Sequence, residues 1–386
     1  MITHKAGWRV SVLLILCVAL PMSTKAQSTT AGAIVGTVRD PSGAVIPGAS
    51  VTTTNVATNA RASATADANG RYVIDNLHPG GYAVEVNASG FGTYTQNNVT
   101  VEVGLSTTVD ANLQVAGQST TVVATAEAPV VTTDSPDFST NVNSTTIGNL
   151  PINGRRWSAF KLLTPGVAPD GGFGLVSFRG ISGLLNNSTV DGGDDNQAFF
   201  SEEKGRTRIS YSISEASIQE YQVNTSDYSA EDGRSAGGVI NAITKSGTNE
   251  FHGEAFWYFR DSDFSAINPF AVQTVLVNGV NTTVHINPED KQHQFGGTLG
   301  GAIIKNKLFY FFSADQQLRK FPAVGVPGNP SAFFAPFTSA ETATLASRGI
   351  STTQANAGLA FLQSVTGTVP RTAGELVLLP KIATTS

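Results

Sequence analysis

Residues 244–262, TKSGTNEFHGEAFWYFRDS, run from a polar turn into a segment that places large aromatic side chains beside charged ones. Side chains of a β-strand alternate between two faces. One face would carry Phe251, Gly253, Ala255, Trp257 and Phe259, and the other His252, Glu254, Phe256, Tyr258 and Arg260. A soluble β-sandwich would bury one of these faces, whereas a membrane β-barrel would expose it to lipid. The alternation alone fits both architectures.

The composition of the 386-residue chain is typical of a β-rich protein with many turns. Only 14% of the residues are charged, and 24 basic against 29 acidic residues give a net charge of −5. Nucleic-acid-binding proteins are normally basic, so this balance argues against nucleic acid as a partner. Gly, Ser, Thr, Asn and Val are abundant and long helix-forming runs are scarce. We therefore expect a mainly β protein.

Residues 1–26 have the pattern of a secretory signal peptide. Lys5 and Arg9 precede the apolar run VSVLLILCVAL, and Ala26 ends a cleavage site of small residues. This run is shorter than the ~20 apolar residues that span a bilayer. Cys17, the only cysteine, lies in the same segment. The exported chain is therefore expected to have neither disulfides nor cysteine-based metal sites.

Residues 31–115 predict a β-sandwich of about seven short strands, separated by turns such as DPSG and DANG. The predicted core consists of Ile34, Val38, Val51, Tyr72, Ile74, Leu77, Tyr82, Val84, Val86 and Phe91. The strings GTVRDPSGAVIPGASVT and ADANGRYVIDNLHPGGYAVEVNASGF resemble the carboxypeptidase regulatory-like family. The resemblance implies a transthyretin-like accessory module without peptidase activity, and His78 has no zinc-binding companion in the segment.

Three further strings follow in order: STTIGNLPINGRRWSAFKLLTPGV (144–167), SFRGISGLLNNSTVDGGDDN (177–196) and SISEASIQEYQVNTSDYSAEDGRSAGGVINAITKSGTNEFHGEAFW (212–257). Together they resemble the plug of TonB-dependent outer-membrane receptors, in the Oar-like branch that carries the same N-terminal sandwich. The resemblance extends through residues 292–319. It implies a mixed α+β plug at 130–247, after a TonB-box-like segment at 119–129.

The TonB-box candidates implied by the resemblance are Thr120, Thr121, Val122, Val123, Ala124, Thr125 and Ala126. Such a short extended segment can add as a strand to the sheet edge of a TonB-type energy-coupling protein. The paired valines favour a β conformation. Ala124 stands where the family more often has Val, so the register of the box stays open.

The plug candidates are Arg155, Arg156, Arg179, Asp191 and Arg234. Inside a barrel, the first two arginines would pair with carboxylates of the wall. The alternative is that both are solvated in a loop, since charged side chains are usually exposed.

Two chemical alternatives concern the plug region. Asp191, Asp194 and Asp195 are oxygen donors that Ca²⁺ prefers, but the frame and distal Glu of an EF-hand are absent, so a plug turn is favoured. Residues 233–237, GRSAG, match the nucleophile elbow of hydrolases. That motif needs a following helix, whereas β-branched alternation here predicts a strand. We expect no enzyme activity and no cofactor.

Residues 248–319 predict the first strands of an antiparallel transmembrane barrel, with a short turn at 304–307. Phe309, Tyr310, Phe311 and Phe312 are expected to face lipid and to form part of an interfacial belt. Residues 320–386 are expected to be loop-rich, with a short helix capped by Ser339 and no closing aromatic strand. Because such barrels have about 22 strands, the expected barrel is incomplete, and the chain is expected to be an N-terminal fragment or a truncated product.

The function that the resemblance implies is gated uptake of an unknown ligand through the outer membrane, powered through TonB. The expected partners are the TonB-type protein, outer-membrane lipid and the transported ligand. The alternative is a periplasmic or surface binding or adhesion module without transport. Transport requires a complete barrel and a working TonB box, and a module requires neither.

Overall fold

The computed structural model shows three successive β-rich regions, which we call the sandwich, the plug and the wall. It describes residues 30–116, 122–124, 138–150, 152, 155–171, 175–197, 204, 211–226, 228, 233–278 and 280–385. The predicted signal peptide, residues 1–26, lies outside the described residues. Among the described helices, none is both long and apolar enough to cross a membrane.

The sandwich consists of two sheets packed on one core. Its strands are β1 (Gly32–Arg39), β2 (Ser50–Asn55), β3 (Arg61–Thr65), β4 (Arg71–Leu77), β5 (Gly80–Asn87), β6 (Tyr94–Val101), β7 (Ser106–Thr108), β8 (Ala111–Asn112) and β9 (Val122–Ala124). One sheet has the order β4-β1-β7, with β8 also on β1, and the other has the order β3-β2-β5-β6-β9. Nine of the ten predicted core residues are buried, and Phe91 packs partly buried against them.

The plug is a mixed α+β unit built on a five-stranded sheet of order β10-β15-β16-β13-β14. Its elements are β10 (Phe138–Asn143), α1 (Ser144–Asn149), β11 (Val167–Pro169), β12 (Val176–Phe178), β13 (Asn187–Val190), β14 (Gly193–Asp194), β15 (Ile218–Ser226) and β16 (Val239–Thr244), with 3₁₀ turns at Trp157–Leu163, Gly183–Leu185 and Glu215–Ser217. Trp157 packs edge-on against Tyr221 at 5.4 Å between ring centroids. Both rings are buried in the plug core.

The wall is an antiparallel sheet of order β17-β20-β21-β24. Its elements are β17 (His252–Asp261), β18 (Val272–Val277), β19 (Val280–His285), β20 (Lys291–Ile304), β21 (Leu308–Lys320), β22 (Ala323–Gly325), α2 (Pro330–Phe333), α3 (Ser339–Ser347), α4 (Thr352–Val365), β23 (Gly367–Val369) and β24 (Thr372–Thr384), with a 3₁₀ turn at Ser262–Phe264. The pairs β18–β19 and β22–β23 form separate hairpins. The sheet thus comprises the strands predicted from 248–319 and one more.

The two faces of the opening stretch now have distinct surroundings. Trp257 is 67% exposed, and its ring stacks with that of His293 on the outer face of the wall. Phe256 and Tyr258 face the opposite way, towards the guanidinium of Arg155 in the plug. The outer face continues with the exposed apolar side chains of Phe295, Leu299, Phe312, Leu318, Leu376, Leu378 and Ile382. A sheet that exposes this many apolar groups on one face is typical of a barrel in lipid.

Three sequence expectations about the wall are wrong in detail. Phe309 and Phe311 are buried on the inner face, because strand alternation allows only every second aromatic side chain to point outwards. Residues 320–386 end in a 13-residue strand, β24. Pro380 interrupts its pattern, but β24 lies at the described edge of the sheet, where a missing backbone N–H is tolerated. The cap of α3 is Thr338, which forms a capping box with Glu341, and Ser339 is the first helical residue.

Candidate functional site

The region that joins the plug to the wall and to the sandwich contains most of the predicted site residues. At Gly247, where the chain leaves the plug, the absence of a side chain lets the plug backbone lie against the wall backbone. A Cβ atom at this position would clash with the backbone carbonyl oxygens of Tyr310 and Gly301 on the wall. The last plug segment therefore lies directly against β20 and β21.

Arg155 occupies a buried junction between the plug and β17. One guanidinium nitrogen lies 2.9 Å from a carboxylate oxygen of Glu215, and these side chains are 20% and 4% exposed. The guanidinium carbon lies 3.9 Å from the ring centroid of Tyr258 and 5.4 Å from that of Phe256. The ionic partner is a plug carboxylate and not the expected wall carboxylate, because the wall offers aromatic faces at this point. Burial raises the pKa of Glu215, and the positive charge of Arg155 opposes that shift.

Arg156 faces a wall carboxylate. Its charge acts on the carboxyl group of Glu375, which projects from the inner face of β24. The neighbouring arginines thus reach two different strands at opposite ends of the wall sheet. Neither fits the alternative of a solvated loop, since Arg155 is only 20% exposed and Arg156 is partly buried.

Asp191 ties the last plug strand to the last described wall strand. Its carboxylate accepts the backbone N–H of Thr244 at 2.8 Å and the hydroxyl of the same residue. The ammonium group of Lys381 on β24 lies 3.3 Å from this carboxylate and 2.8 Å from the Thr244 hydroxyl. Asp191 has a left-handed backbone, with φ of 48°. The structure therefore gives this residue a linking role at a tight turn.

The other two plug candidates lie on the surface. Arg179 is exposed in a turn with φ of 51°, and its backbone N–H donates to the carbonyl of Gly166. Arg234 forms an exposed ion pair with Asp194 at 2.7 Å. The structure does not bring either residue to the contact between plug and wall.

The acidic and serine motifs are both occupied by structural contacts. Asp191 pairs with Thr244, Asp194 with Arg234 and Asp195 with Ser212, so the three aspartates face separate partners. In the described part of the chain, no cluster of three potential metal ligands occurs. The hydroxyl of Ser235 lies 2.9 Å from the backbone carbonyl oxygen of Gly238 and 3.1 Å from that of Leu185, so its one hydrogen is donated to backbone. β16 follows where a nucleophile elbow would have a helix.

A buried polar cluster on the inner face of the wall was not predicted. Asp315 on β21 accepts the Ser214 hydroxyl of the plug at 2.7 Å and the amide of Gln294 on β20 at 3.1 Å. The same amide donates to the hydroxyl of Tyr211 at 3.3 Å. Ser214 and Asp315 are 101 residues apart. Only the inward alternation of Gln294 and Asp315 in sequence could have indicated the wall half of this cluster.

The sandwich is bound to the plug through the backbone of Val103. The Val103 N–H donates to the two carboxylate oxygens of Glu220 at 3.1 and 3.2 Å. Its carbonyl accepts from the amides of Asn141 and Gln222, at 3.1 and 3.0 Å. Gly104 has φ of 67°, and a Cβ atom there would clash with the Gln222 side chain. Burial raises the pKa of Glu220 to about 7.

A second contact binds the sandwich to the wall at the turn between β20 and β21. The amide of Asn59 donates to the side-chain oxygen of Asn306 at 2.9 Å, and the amide of Asn249 donates to the same oxygen at 2.7 Å. The backbone N–H of Asn249 donates to the carbonyl of Ala57. The sandwich therefore contacts both the plug and the turn end of the wall.

The TonB-box candidates lie only partly within the described residues. Val122, Val123 and Ala124 form β9, which pairs in parallel with Tyr94–Gln96 of β6. Thr120, Thr121, Thr125 and Ala126 lie outside the described residues. The described part is therefore an extended strand at the outer position of a sandwich sheet.

Comparisons with known proteins match two separate parts of the chain. Residues 33–114 match the carboxypeptidase regulatory-like domain, and residues 243–368 match an outer membrane beta barrel domain. Over 297 residues the chain is 29% identical to the TonB-dependent transporter Oar of Myxococcus xanthus, which covers 74% of this chain and 26% of that protein. The chain is thus similar to the Oar-like TonB-dependent receptors. The outer-membrane domain match and the similarity to this transporter support a location in the outer membrane.

Two solved structures are similar over about half of this chain. The outer membrane transporter YddB of Escherichia coli has 15% identity and a TM-score of 0.38, and the match covers 49% of this chain and 27% of YddB. The siderophore receptor PirA of Acinetobacter baumannii has 18% identity and a TM-score of 0.34, with 48% and 25% covered. The chain spans 26% of the length of Oar, its curated relative.

Proposed function

We propose that the chain contributes the sandwich, the plug and part of the wall to a transporter that takes up a ligand through the outer membrane with energy from TonB. The observation that carries the proposal is the set of buried contacts from the plug to the inner face of a wall whose outer face is apolar. A plug in this position would obstruct the lumen, and uptake would require it to move. The free-standing binding or adhesion module is not favoured, because the wall is a matched outer-membrane domain.

The contacts between plug and wall fit a plug that must stay in place and still be movable. Arg155 uses an aromatic face and an ion pair, Asp315 uses hydrogen bonds, and Asp191 uses Lys381. A polar contact can exchange its partners for water when the surfaces separate, whereas an apolar core would have to be exposed. The outer face of the wall has the opposite character, which suits a fixed position in lipid.

The energy would enter through the TonB-box candidates. An extended segment can pair with the sheet edge of a TonB-type protein through its backbone, so affinity depends on available N–H and C=O groups. A pull on residues 119–129 acts on the chain that leads into β10, which begins at Phe138. In this proposal no bond is made or broken in the transported ligand.

The experiment is a binding measurement between the detergent-solubilised chain and the periplasmic domain of TonB from the source organism. Val123→Pro removes a backbone donor from the box and should weaken binding at least tenfold. Val326→Pro is the matched control, because Val326 lies outside the helices and strands and precedes Pro327. Equal affinity of the wild type, Val123→Pro and Val326→Pro would contradict coupling through this segment.

A further inference from the structure

We propose that the sandwich presents the TonB-box segment to its partner, by holding β9 extended on the edge of β6 with the other edge of β9 open for strand addition. The identity of the partner rests on the proposed function, whereas the pairing of β9 with β6 does not. The partner is defined by its chemistry, as a protein with an unpaired β-strand edge. The sandwich would then serve as a docking platform for energy coupling.

The register of β9 places it as an added strand of the sandwich. Tyr94 is opposite Val122, Thr95 is opposite Val123 and Gln96 is opposite Ala124, in parallel orientation. In the sheet order β3-β2-β5-β6-β9, β9 is terminal, and among the described strands only β6 pairs with it. A strand has hydrogen-bonding groups on both sides. The side of β9 that faces away from β6 is therefore the edge a partner strand would use.

The chain leading to β9 is fixed beside the start of β6 by backbone contacts. The N–H of Gly92 donates to the carbonyl of Gln114 at 2.7 Å, and the N–H of Ala116 donates to the carbonyl of Gly90 at 3.0 Å. Phe91 and Val115 form an antiparallel bridge between these two bonds. Residues 114–116 thus bring the segment to the edge that β9 occupies. These backbone contacts of residues 114–116 are independent of the pairing between β9 and β6.

An irregularity in β6 limits how tightly β9 is held. The pairing of β5 with β6 shifts register between Tyr82 and Val84, and Asn98 has φ of 59°. Such a bulge bends the strand and interrupts the ladder. The regular part of β6 ends near Gln96, where β9 also ends. Because each backbone hydrogen bond contributes little net stability, a three-residue pairing can order Val122–Ala124 and still be separated by a pull.

The sandwich, which would serve as the docking platform, is bound to both the plug and the wall. Glu220 and Gln222 of the plug hold the backbone of Val103, and Asn306 of the wall turn holds Asn59. A partner that adds to β9 would therefore bind to a sandwich whose position relative to the plug is held by these contacts. Since the segment is already extended, the partner is spared part of the entropy cost of ordering it.

A disulfide tests the pairing directly. In a Cys17→Ser background, Thr95→Cys combined with Val123→Cys places two thiols at opposed positions, whereas Thr100→Cys combined with Val123→Cys separates them by five further residues along β6. That offset is about 16 Å, too far for a disulfide. Mild oxidation of the full chain should remove free thiols from the first pair and leave them in the second. Failure of the first pair to cross-link, or equal cross-linking of both, would overturn the proposal.

The affinity of the periplasmic domain of TonB then tests presentation. The oxidised Thr95→Cys, Val123→Cys chain should bind that domain as tightly as the reduced chain, or up to about tenfold more tightly, because the segment stays ordered. A loss of more than tenfold on oxidation, recovered by reduction, would overturn presentation and show that β6 competes with the partner. Binding by neither form would overturn both presentation and the proposed coupling, although the disulfide would still establish the pairing.

Discussion

Glu220 of the plug accepts the backbone N–H of Val103 in the sandwich through both of its carboxylate oxygens, at 3.1 and 3.2 Å. The two residues are 117 positions apart, and both are buried. Because the donor is a backbone N–H, the carboxylate connects the plug to the sandwich without needing a charged side chain on the sandwich. This contact makes the sandwich part of a single unit with the plug.

The Glu220 carboxyl group should make stability depend on pH. Its pKa rises from the ordinary glutamate value of 4.5 to about 7, chiefly through burial. The folded chain therefore binds this proton more tightly than the unfolded chain, and the free energy of unfolding should fall as pH rises from about 4.5 to about 7. Glu220→Gln should flatten this part of the profile. Chemical unfolding at several pH values measures it.

The matched control for that profile is Glu85→Gln, because Glu85 is exposed on β5. The control should keep the wild-type pH dependence. If Glu220→Gln kept the same slope between pH 4.5 and 7 as the wild type, burial of the Glu220 charge would not be its source.

Arg155 should stabilise the plug more than the other predicted arginines do. Arg155→Met leaves the buried Glu215 carboxylate without its cation and removes the stack on Tyr258. Breaking a buried pair costs about 3–5 kcal/mol, and the partial exposure of Arg155 reduces this to about 2–3 kcal/mol. Adding Glu215→Gln should recover part of the loss. A double-mutant cycle by chemical unfolding measures the coupling.

Arg179→Met is the control for that cycle, since Arg179 is exposed in a turn. It should change the free energy of unfolding by less than about 0.5 kcal/mol. Equal losses from Arg155→Met and Arg179→Met would mean that the junction at β17 adds no stability.

Asp191→Asn tests the tie between the plug and β24. Asn tolerates the left-handed backbone found at this position, so the substitution removes the charge and keeps the turn. The contact with Lys381 weakens, and the amide of Thr244, which donates to Asp191, should exchange its hydrogen severalfold faster. Hydrogen exchange by mass spectrometry measures this. The control is Asp194→Asn, which removes the exposed ion pair with Arg234. It should leave the hydrogen exchange at Thr244 unchanged. Equal acceleration by both variants would show that Asp191 does not specifically connect the plug to β24.

A charged substitution on the outer face of the wall should destabilise the chain in the membrane. Leu378 is 54% exposed near the middle of β24, and Leu378→Arg should cost about 2–4 kcal/mol if this position lies at the bilayer midplane. The expected result is a marked fall in the fraction of chain recovered in the outer membrane. Val73→Arg provides the control on the similarly exposed outer face of the sandwich. Comparable membrane recovery of both variants would show that β24 does not face lipid.

Local patterns were sufficient to predict much of this fold. Tyr72 and Val84 alternate with polar residues, so their burial follows from the strand period, and turns such as Asn69–Gly70 separate the strands. The same period shows why the expectation for Phe309 and Phe311 was wrong, because four consecutive aromatics cannot share one face. β24 was missed because Pro380 is a strand-breaking signal, whose exception depends on the edge position of the strand.

The site was less predictable because its contacts join distant segments. The resemblance indicated Arg155, but nothing near it in sequence identifies Glu215 or Tyr258 as its partners. Ser214, which donates to Asp315, and Val103, which donates to Glu220, are likewise about a hundred residues from their acceptors. These pairings depend on how the plug sheet lies against the wall and the sandwich. Periodicity within one strand contains no information about that arrangement.

The measurement that tests the central claim most directly is site-specific photo-cross-linking in living source cells. A photoreactive amino acid at Val123 should give, in the outer-membrane fraction, an adduct with a TonB-type protein. The same group at Asn69, in an exposed turn of the sandwich, should give much less. An adduct that depends on Val123 and increases during ligand uptake is the predicted result. Recovery of the chain in the soluble fraction, or no TonB-type adduct from Val123, would contradict the account.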